Sequence, residues 1–334
     1  PGIVIGQIHV ADAVTAQAAA DVDVAYMYLE GLTCGLVIGT TLGSGQILTP
    51  DIYCLGAAST LNGDLILDAE CDPNAIFIFK IDGAFSSTTL SNVILIDAAS
   101  ACNIYRQING AVSLGEGSVF RGNILANGAI SLLEGSSLYG RGLSRAGAID
   151  MHNNIATLDL LPTASVITAG GPTTFCDGGS VTLSGNCGGI WSNGSSSPSI
   201  TVTTSDDYFV TTTNACGSIQ SNHIIVTVLQ LPVCTITGMD PICVGSSTLF
   251  CAPVGTGYGY LWDNGSTTRC ITVSMSGTYT VTVTDALGCT SSCSKTLNIN
   301  PLPDCIITGL DSICQGQTTT FCVLNAGPSS TYIW

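Results

Sequence analysis

A five-residue pattern that recurs at nearly constant spacing constrains this chain more than any other feature. Gly110–Leu114 (GAVSL) returns as Gly128–Leu132 (GAISL) and as Gly147–Met151 (GAIDM), 18 and 19 residues apart, with a looser copy at Gly83–Ser86. Alternate apolar positions at a period of about 18 to 20 residues are typical of β-solenoid coils, which stack because no coil buries its own inward side chains. The alternative is an ordinary β-meander with recurrent glycine turns.

A single helical pattern precedes the repeats. From about Asp12 to Leu32 the sequence is rich in alanine, larger apolar residues recur at i+3 and i+4 spacing, and Gly31 provides a stop. Short apolar runs separated by Gly, Asn, Asp and Ser follow, as far as about Leu158. We therefore predict a mainly β fold in which residues 1–160 form a right-handed β-solenoid with one flanking α-helix over about 12–32.

A longer repeat begins after Leu160-Leu161-Pro162. Trp191, Trp262 and Trp334 are 71 and 72 residues apart, and each copy opens with an aromatic or apolar residue, then Cys and, two residues on, Gly. The strands within a copy alternate apolar and polar residues, as half-buried strands of a sandwich do. We predict tandem Ig-like β-sandwich modules at 163–230, 233–300 and 304–334, the last of them incomplete.

The cysteine content indicates an oxidising compartment. The chain has 16 Cys and three His, with no tight Cys-x-x-Cys pair of the kind that zinc or redox centres use. We therefore predict an extracellular or cell-surface protein that is secreted and stabilised by disulfides. The leading pairs are Cys176 with Cys216 and Cys243 with Cys289, each across a sandwich, and the remaining connectivity is left open.

Charge and motif content exclude several classes of function. Seven Lys and Arg against 23 Asp and Glu, a formal charge of -16, cannot form the basic surface that nucleic acid requires. The apolar, uncharged run Gly31–Pro50 is interrupted by five glycines, so it makes a poor membrane-spanning helix. The acidic loop Asp68–Asn74 has Pro73 where a calcium loop needs Gly, so a solvated turn is favoured. The repeated coils place no carboxylate pair beside a basic residue, as a polysaccharide lyase would need. We expect no catalytic residue, cofactor, metal, nucleic acid or membrane insertion.

Residues 2 to about 158 resemble the microbial ice-binding protein family, through five stretches. The strongest is DPNAIFIF, and the set is Ile8–Gln17, Leu48–Cys54, Asp72–Phe79, Ala101–Tyr105 and Gly122–Ala126. The resemblance implies a discontinuous right-handed β-solenoid with one long helix along it. Members of the family have opening strands before the helix, and we expect these strands to be missing from the sequence as given. Residues 163–334 resemble the Ig-like repeats of large secreted bacterial surface proteins, which serve mainly as spacers.

Where ice binding occurs in that family it uses one flat solenoid face of small residues, often Thr, and the repeats here suggest a corresponding column. It consists of Ser86, Ala111, Ser113, Ala129, Ser131, Ala148 and Asp150. The column is small and flat, yet it has Ser where Thr is expected and ends in Asp. Glu116 and Glu134 follow it, and strongly hydrated carboxylates should disturb an ice-like water layer. We therefore expect weak thermal hysteresis or none.

These observations favour a non-enzymatic extracellular adhesin or structural fibre subunit, with the solenoid carried on Ig-like spacers. Its partners would be a solid surface or other protein chains, with self-assembly into fibres open. The alternative is an ice-binding, antifreeze adhesin that contacts ice through a flat solenoid face. Low charge, disulfides and repeated β-modules suit both hypotheses and do not separate them.

Overall fold

The computed structural model describes residues 4, 7–158, 160–302, 306–323, 331 and 333. The chain divides into two compact units. The first contains Pro1–Phe175 and Gly179–Thr227, and the second contains Cys176–Gly178 and Val228–Trp334. The first unit therefore holds the solenoid together with most of the repeat that follows it.

The predicted helix is present as Ala13–Gly31. Asp12 caps its start, because the Asp12 Oδ1 accepts a hydrogen bond from the Thr15 amide at 2.9 Å. That bond, together with His9 Nδ1 at 2.7 Å from Asp12 Oδ2, holds the pKa of the Asp12 carboxyl below its ordinary value. Tyr26 and Leu29 are its buried residues, so the helix packs along one narrow stripe.

Three parallel sheets of six strands each confirm the predicted β-solenoid. Sheet A contains Leu36–Val37, Ile52–Leu55, Phe77–Ile81, Ile104–Ile108, Asn123–Ala126 and Gly142–Ser144. Sheet B contains Thr41–Gly43, Ser59–Asn62, Phe85–Ser87, Val112–Leu114, Ile130–Leu132 and Ile149–Met151. Sheet C contains Gln46–Leu48, Asp64–Asp68, Asn92–Ile96, Val119–Arg121, Ser137–Tyr139 and Ile155–Thr157. A short 3₁₀ turn, Ala101–Asn103, connects sheet C to sheet A.

Glycine occupies the corner between sheets A and B because neighbouring coils approach closely there. A Cβ on Gly110 would lie 2.7 Å from the Ala84 backbone nitrogen, and one on Gly128 would lie 2.8 Å from that of Ala111. Real Cβ atoms do not approach backbone so closely. The recurrent Gly-Ala pair thus marks a point where neighbouring coils are in close backbone contact, and the apolar residues after it fill the core.

The solenoid core contains one fully buried cation, Arg106. Its guanidinium lies between the rings of Phe79 and Phe120, with centroid distances of 4.9 and 4.1 Å, and Nη1 donates to the Arg121 carbonyl at 2.9 Å. The Nε and Nη2 atoms have no protein partner. Burial lowers the pKa of Arg106 to about 9, which still leaves the group charged at neutral pH.

The 163–230 repeat consists of short strands in three small sheets around the buried Trp191. Its strands are Thr168–Ala169, Thr174–Cys176, Val181–Ser184, Ile190–Trp191, Ser199–Val202, Asp206–Tyr208, Val210–Asn214, Gly217–Gln220 and Ile224–Leu229. The indole Nε1 of Trp191 donates to the Ser197 carbonyl at 2.8 Å. The chain turns directly after this Trp, where Gly194 has a φ of +87° and its amide donates to the Trp191 carbonyl at 2.8 Å.

The second repeat has the same local structure around Trp262. Its strands are Ile242–Cys243, Thr248–Cys251, Gly259–Trp262, Cys270–Val273, Gly277–Thr284, Thr290–Leu297 and Ile299–Asn300. Trp262 Nε1 donates to the Thr268 carbonyl at 2.8 Å, six residues on, as in the first repeat. The third copy shows Ile307–Thr308 paired with Cys322–Val323, and Trp334 lies outside the described residues.

Both disulfide pairs predicted from the sequence are wrong. Cys216 is bonded to Cys102, Cys176 to Cys289, and Cys243 is an exposed free thiol. The cause is position: Cys216 and Cys289 end hairpin loops, while the inward positions beside each Trp hold apolar residues such as Val210 and Val281. The other pairs are Cys34–Cys54, Cys71–Cys187, Cys234–Cys293 and Cys251–Cys270.

Candidate functional site

Sheet A is covered by the helix. Tyr26 and Leu29 pack against Ile78 and Leu125 of the sheet. Polar contacts hold the helix at its middle and at its C-terminal end: the Arg145 Nε donates to Asp23 Oδ1 at 2.7 Å, and Lys80 donates to the Glu30 and Leu32 carbonyls. Beside the helix lies an apolar cleft of about 420 Å³, lined in part by Tyr28, Tyr105 and Leu143. The helix therefore leaves no flat surface on sheet A.

Sheet C has an apolar and uneven outward side. Ile47 is in register with Ile66, and Ile66 with Ile94, so three branched side chains form one outward row. Further along this sheet, Arg121 lies over the Tyr139 ring at 5.2 Å and donates to Asn92 Oδ1 at 2.8 Å.

A cleft of about 660 Å³ interrupts the outward side of sheet C. Leu161, Pro162 and Ile219 line it opposite the solenoid residues. The chain that leaves the solenoid therefore borders this sheet.

Sheet B carries a continuous outward row of small side chains, one from each coil. The strand registers place six residues side by side: Thr41, Thr60, Ser86, Ser113, Ser131 and Asp150. The residues on either side of each middle member, such as Val112 and Leu114, are buried in the core. Since parallel strands lie about 4.8 Å apart, the row carries one hydroxyl on each of five successive closely spaced strands before it ends in a carboxylate.

The row places the sequence-predicted residues in two groups. Ser86, Ser113, Ser131 and Asp150 stand in it as the repeat indicated. Ala111, Ala129 and Ala148 directly precede the strands, two residues before the row members of their coils, and occupy the corner next to sheet A, where Ala111 and Ala148 are exposed. The surface formed by the row and its flanking alanines is called the sheet B face below.

Sequence reasoning missed Thr41 and Thr60. Their coils lack the Gly-Ala pair, since Ile38-Gly39 and Ala57-Ala58 stand in its place. The signal available was the alternation that follows, in which Leu42 and Leu61 are buried directly after the outward threonines. The Thr60 Oγ1 lies 3.2 Å from Ser86 Oγ, so neighbouring members of the row contact each other.

Glu116 and Glu134 lie outside the row. Each is exposed and falls in the turn after its sheet B strand, beyond Val112–Leu114 and Ile130–Leu132. The Glu134 Oε1 accepts a hydrogen bond from Asn153 Nδ2 at 2.9 Å, which ties this carboxylate to the next turn. The two carboxylates therefore border the sheet B face at its edge and do not interrupt the line of hydroxyls.

The acidic loop weighed as a calcium site is a turn stabilised by its own backbone. Asp68 Oδ1 accepts from the Glu70 amide at 2.8 Å, and Asp72 Oδ1 accepts from the Asn74 amide at 2.9 Å. Burial, with Asp68 nearby, raises the pKa of Asp97. Asp97 also lies close to the sulfurs of Cys71 and Cys187, but these are bonded to each other and offer no thiolate to a metal.

In the part of the chain that the structure describes, no helix is both long and apolar enough to cross a bilayer.

The first part of the chain is similar to known proteins. The family described as ice-binding-like matches residues 1–157. An ice-binding protein of Nostoc sp. (strain HG1) is 38% identical over 156 residues, which are 46% of this chain and 57% of that protein. An ice-binding protein of Flavobacterium frigoris (strain PS1) is 30% identical over 123 residues, 37% of this chain and 44% of that protein. The chain thus spans about half the length of these relatives.

Among solved structures, the crystal structure of an ice-binding protein from the Antarctic ascomycete Antarctomyces psychrotrophicus is 28% identical to this chain. The alignment covers 46% of this chain and 76% of that one, with a TM-score of 0.45.

Proposed function

Since residues 1–157 match the ice-binding-like family, we propose that this chain binds ice and does so through the sheet B face. The observation that carries the proposal is the row from Thr41 to Asp150, whose members stand in register across all six coils of sheet B. A rigid, repeated line of small side chains can hold a layer of water in a regular array. The backbone ladder fixes the positions of the hydroxyls before any water binds.

The other two faces are less suited to ice. The helix covers sheet A through Tyr26 and Leu29. Sheet C presents large side chains of unequal length, among them Ile94, Arg121 and Tyr139, and the chain at Leu161 and Pro162 borders it. A flat crystal surface needs a flat partner, because gaps at the contact lose dispersion attraction over most of the area.

The composition of the sheet B face supports the same choice. Five of its six row positions are Ser or Thr, and the flanking positions in three coils are Ala. Small neutral groups compete weakly with ice for the orientation of water, whereas an ionised group orders water around itself. The sequence-based doubt about Glu116 and Glu134 loses force because both lie in turns beyond the strand ends.

We further propose that the protein is extracellular, is not an enzyme and acts as an ice-binding adhesin. The six disulfides among the described residues fit an oxidising compartment. The two repeats with matching Trp turns, at Trp191 and Trp262, are suited to carry the solenoid as spacers. A structural fibre role would require contacts between copies in addition.

The test is partition of the full chain into slowly growing ice, with Ser113→Tyr as the disrupting variant and Ser137→Tyr as its matched control. Ser113 lies in the middle of the sheet B row, and Ser137 lies outward on sheet C at a comparable half-exposed position. We expect the unmodified chain to enter ice and Ser113→Tyr to lose roughly tenfold in ice affinity, a change of about 1.4 kcal/mol. The Ser137→Tyr chain should partition like the unmodified chain.

Circular dichroism and melting curves check that both variants stay folded, since surface substitutions of this kind usually change the free energy of unfolding by less than about 0.5 kcal/mol. If the unmodified chain is excluded from ice, the proposal of ice binding is wrong. If Ser137→Tyr loses affinity and Ser113→Tyr does not, the choice of face is wrong.

A further inference from the structure

We infer that Cys243 is a covalent attachment point, and that its partner is the cysteine at the hairpin loop of a further copy of the repeat that contains Trp191 and Trp262. This inference concerns the repeats and does not depend on ice binding. It rests on two disulfides in which that loop cysteine reaches back to the preceding element of the chain.

The first step is that Cys243 occupies the same position in its repeat as Cys176 does in the repeat before. Each ends a short strand, Thr174–Cys176 or Ile242–Cys243, and is followed two residues later by a glycine with a φ of +88° or +84°. The amide of the next residue donates to the last strand of its own repeat in both cases, Asp177 to the Leu229 carbonyl at 2.8 Å and Val244 to the Asn300 carbonyl at 2.9 Å.

The second step is that Cys216 and Cys289 are also equivalent. Each directly precedes the second strand of a hairpin, Gly217–Gln220 or Thr290–Leu297. The first strand of that hairpin pairs with the Trp strand in the same register, since Trp191 faces Val210 and Trp262 faces Val281. Each cysteine amide also donates to a side chain at the start of its loop, Cys216 to Asn214 Oδ1 and Cys289 to Asp285 Oδ1, both at 2.9 Å.

The third step is the direction of the bonds. The loop cysteine of one repeat, Cys216, is bonded to Cys102 of the solenoid, 114 residues earlier. The loop cysteine of the next repeat, Cys289, is bonded to Cys176, 113 residues earlier. Both bonds therefore connect a loop cysteine to the element that precedes its repeat. By the same rule Cys243, which is equivalent to Cys176, receives the loop cysteine of the repeat that follows its own.

The remaining described cysteines do not offer a better partner. Cys234 is bonded to Cys293 and Cys251 to Cys270. Among the described residues the other free thiols are Cys314 and Cys322. Cys314 opens the third copy and so matches Cys243 itself, and Cys322 matches Cys251, 71 residues before it. Neither stands at a hairpin loop of the Cys289 type.

The reaction is a two-electron oxidation of two protein thiols, and the oxidant is the disulfide of an oxidoreductase or of oxidised glutathione. The Cys243 thiol loses its proton, and the thiolate attacks one sulfur of the oxidant disulfide, releasing the other as a thiolate that takes up a proton. The loop cysteine of the further repeat then attacks the mixed disulfide at the Cys243 sulfur and displaces the second oxidant thiolate. Two protein thiols become one disulfide, and the oxidant disulfide becomes two thiols.

The experiment uses the full chain with a duplication. A second copy of residues 232–302 is inserted after Leu302. The inserted copy carries Cys243→Ser, so that Cys243 is present in the original repeat alone. The protein is refolded in a glutathione redox buffer, its free thiols are alkylated, and its disulfide-linked peptides are mapped by mass spectrometry. A control chain carries Cys289→Ser in the inserted copy in addition.

In the unmodified chain we expect Cys243 to be alkylated and Cys176 to be linked to Cys289. In the duplicated chain we expect a disulfide between Cys243 and the Cys289 of the inserted copy, beside the one between Cys176 and the original Cys289. Alkylation of Cys243 should fall at least about tenfold, a free-energy difference of about 1.4 kcal/mol. In the control chain Cys243 should be alkylated again.

The inserted copy reports its own folding through the bonds that match Cys234–Cys293 and Cys251–Cys270. If these bonds are present and Cys243 is still fully alkylated, the inference is overturned. It is equally overturned if Cys243 is found linked to Cys289 in the chain without a duplication, since the two cysteines would then pair within one repeat.

Discussion

Sheets B and C are built from the same six coils, and yet only one of them offers a regular surface. Each coil gives sheet B a single outward hydroxyl or carboxylate in a fixed register. Each gives sheet C a different side chain, so that Asp64, Asn92, Val119, Ser137 and Ile155 share one row. Both sheets cover the same apolar core. The difference therefore lies in what the outward positions are required to do.

Burial alone does not make a face uniform. Inward residues of both sheets are apolar, as packing requires, but their sizes vary from Val93 to Phe120. Outward positions of sheet C vary in charge, size and polarity. Uniformity on the outward side of sheet B is thus a separate property of the sequence, and it is the property that a repetitive ligand such as ice would require.

The largest effect on stability and on the sheet B face should come from a substitution at the glycine corner between sheets A and B. Gly110→Ala places a Cβ about 2.7 Å from the Ala84 nitrogen, so the backbone must move and the free energy of unfolding should fall by about 1–3 kcal/mol. Because the spacing of the sheet B row changes with it, ice affinity should fall as well. Thermal melting and ice partition measure the two effects.

Gly39→Ala is the matched control for this corner. Gly39 precedes Thr41 as Ala111 precedes Ser113, and a Cβ there meets nothing within 4 Å. The control should melt like the unmodified chain and keep its ice affinity. Equal destabilisation by both substitutions would show that the close approach of the coils does not control the face.

A smaller effect is expected where the row ends in a charge. Asp150→Ser extends the hydroxyl row to the sixth coil and removes an exposed carboxylate. We expect a modest rise in thermal hysteresis, roughly twofold or about 0.4 kcal/mol in ice affinity. Asp64→Ser removes an equally exposed carboxylate from sheet C and should leave the hysteresis unchanged. A gain from Asp64→Ser of the same size would mean that net charge, and not the row, limits ice binding.

The smallest effect belongs to the turns at the edge of sheet B. Glu116→Thr combined with Glu134→Thr removes the two carboxylates next to the face, which from the sequence alone should raise thermal hysteresis clearly. Since both lie beyond the strands, we expect a rise smaller than that of Asp150→Ser and a change in unfolding free energy within about 0.5 kcal/mol. A rise larger than the Asp150→Ser effect would show that the ice contact extends over the turns.

The solenoid could be predicted from the sequence because its determinants are local and periodic. The Gly-Ala corner, the alternation of Ser113 with Val112 and Leu114, and the single Ala-rich segment each appear within one coil or one helix. The free face could not be predicted in the same way. It depends on where the helix packs, through Tyr26 and Leu29, and on the path of the chain at Pro162.

The disulfides show the limit of sequence reasoning most clearly. A pairing of Cys176 with Cys216 within one repeat is the simplest arrangement, but the observed partners are more than 100 residues apart. No local pattern encodes such distances, since they depend on how consecutive elements are placed in space. The equivalence of Cys216 and Cys289 becomes visible only after their loops and registers are known.

The two bonds Cys71–Cys187 and Cys102–Cys216 have a mechanical consequence. A single covalent link would let the solenoid swivel about one point, and two links restrict any swivel to the axis that passes through both. The buried Leu160, whose carbonyl accepts a hydrogen bond from Ser100, opposes rotation about that axis. Torque applied to the first repeat is therefore transmitted to the solenoid through the two disulfides, and the peptide linker at Leu161-Pro162 carries little of the force.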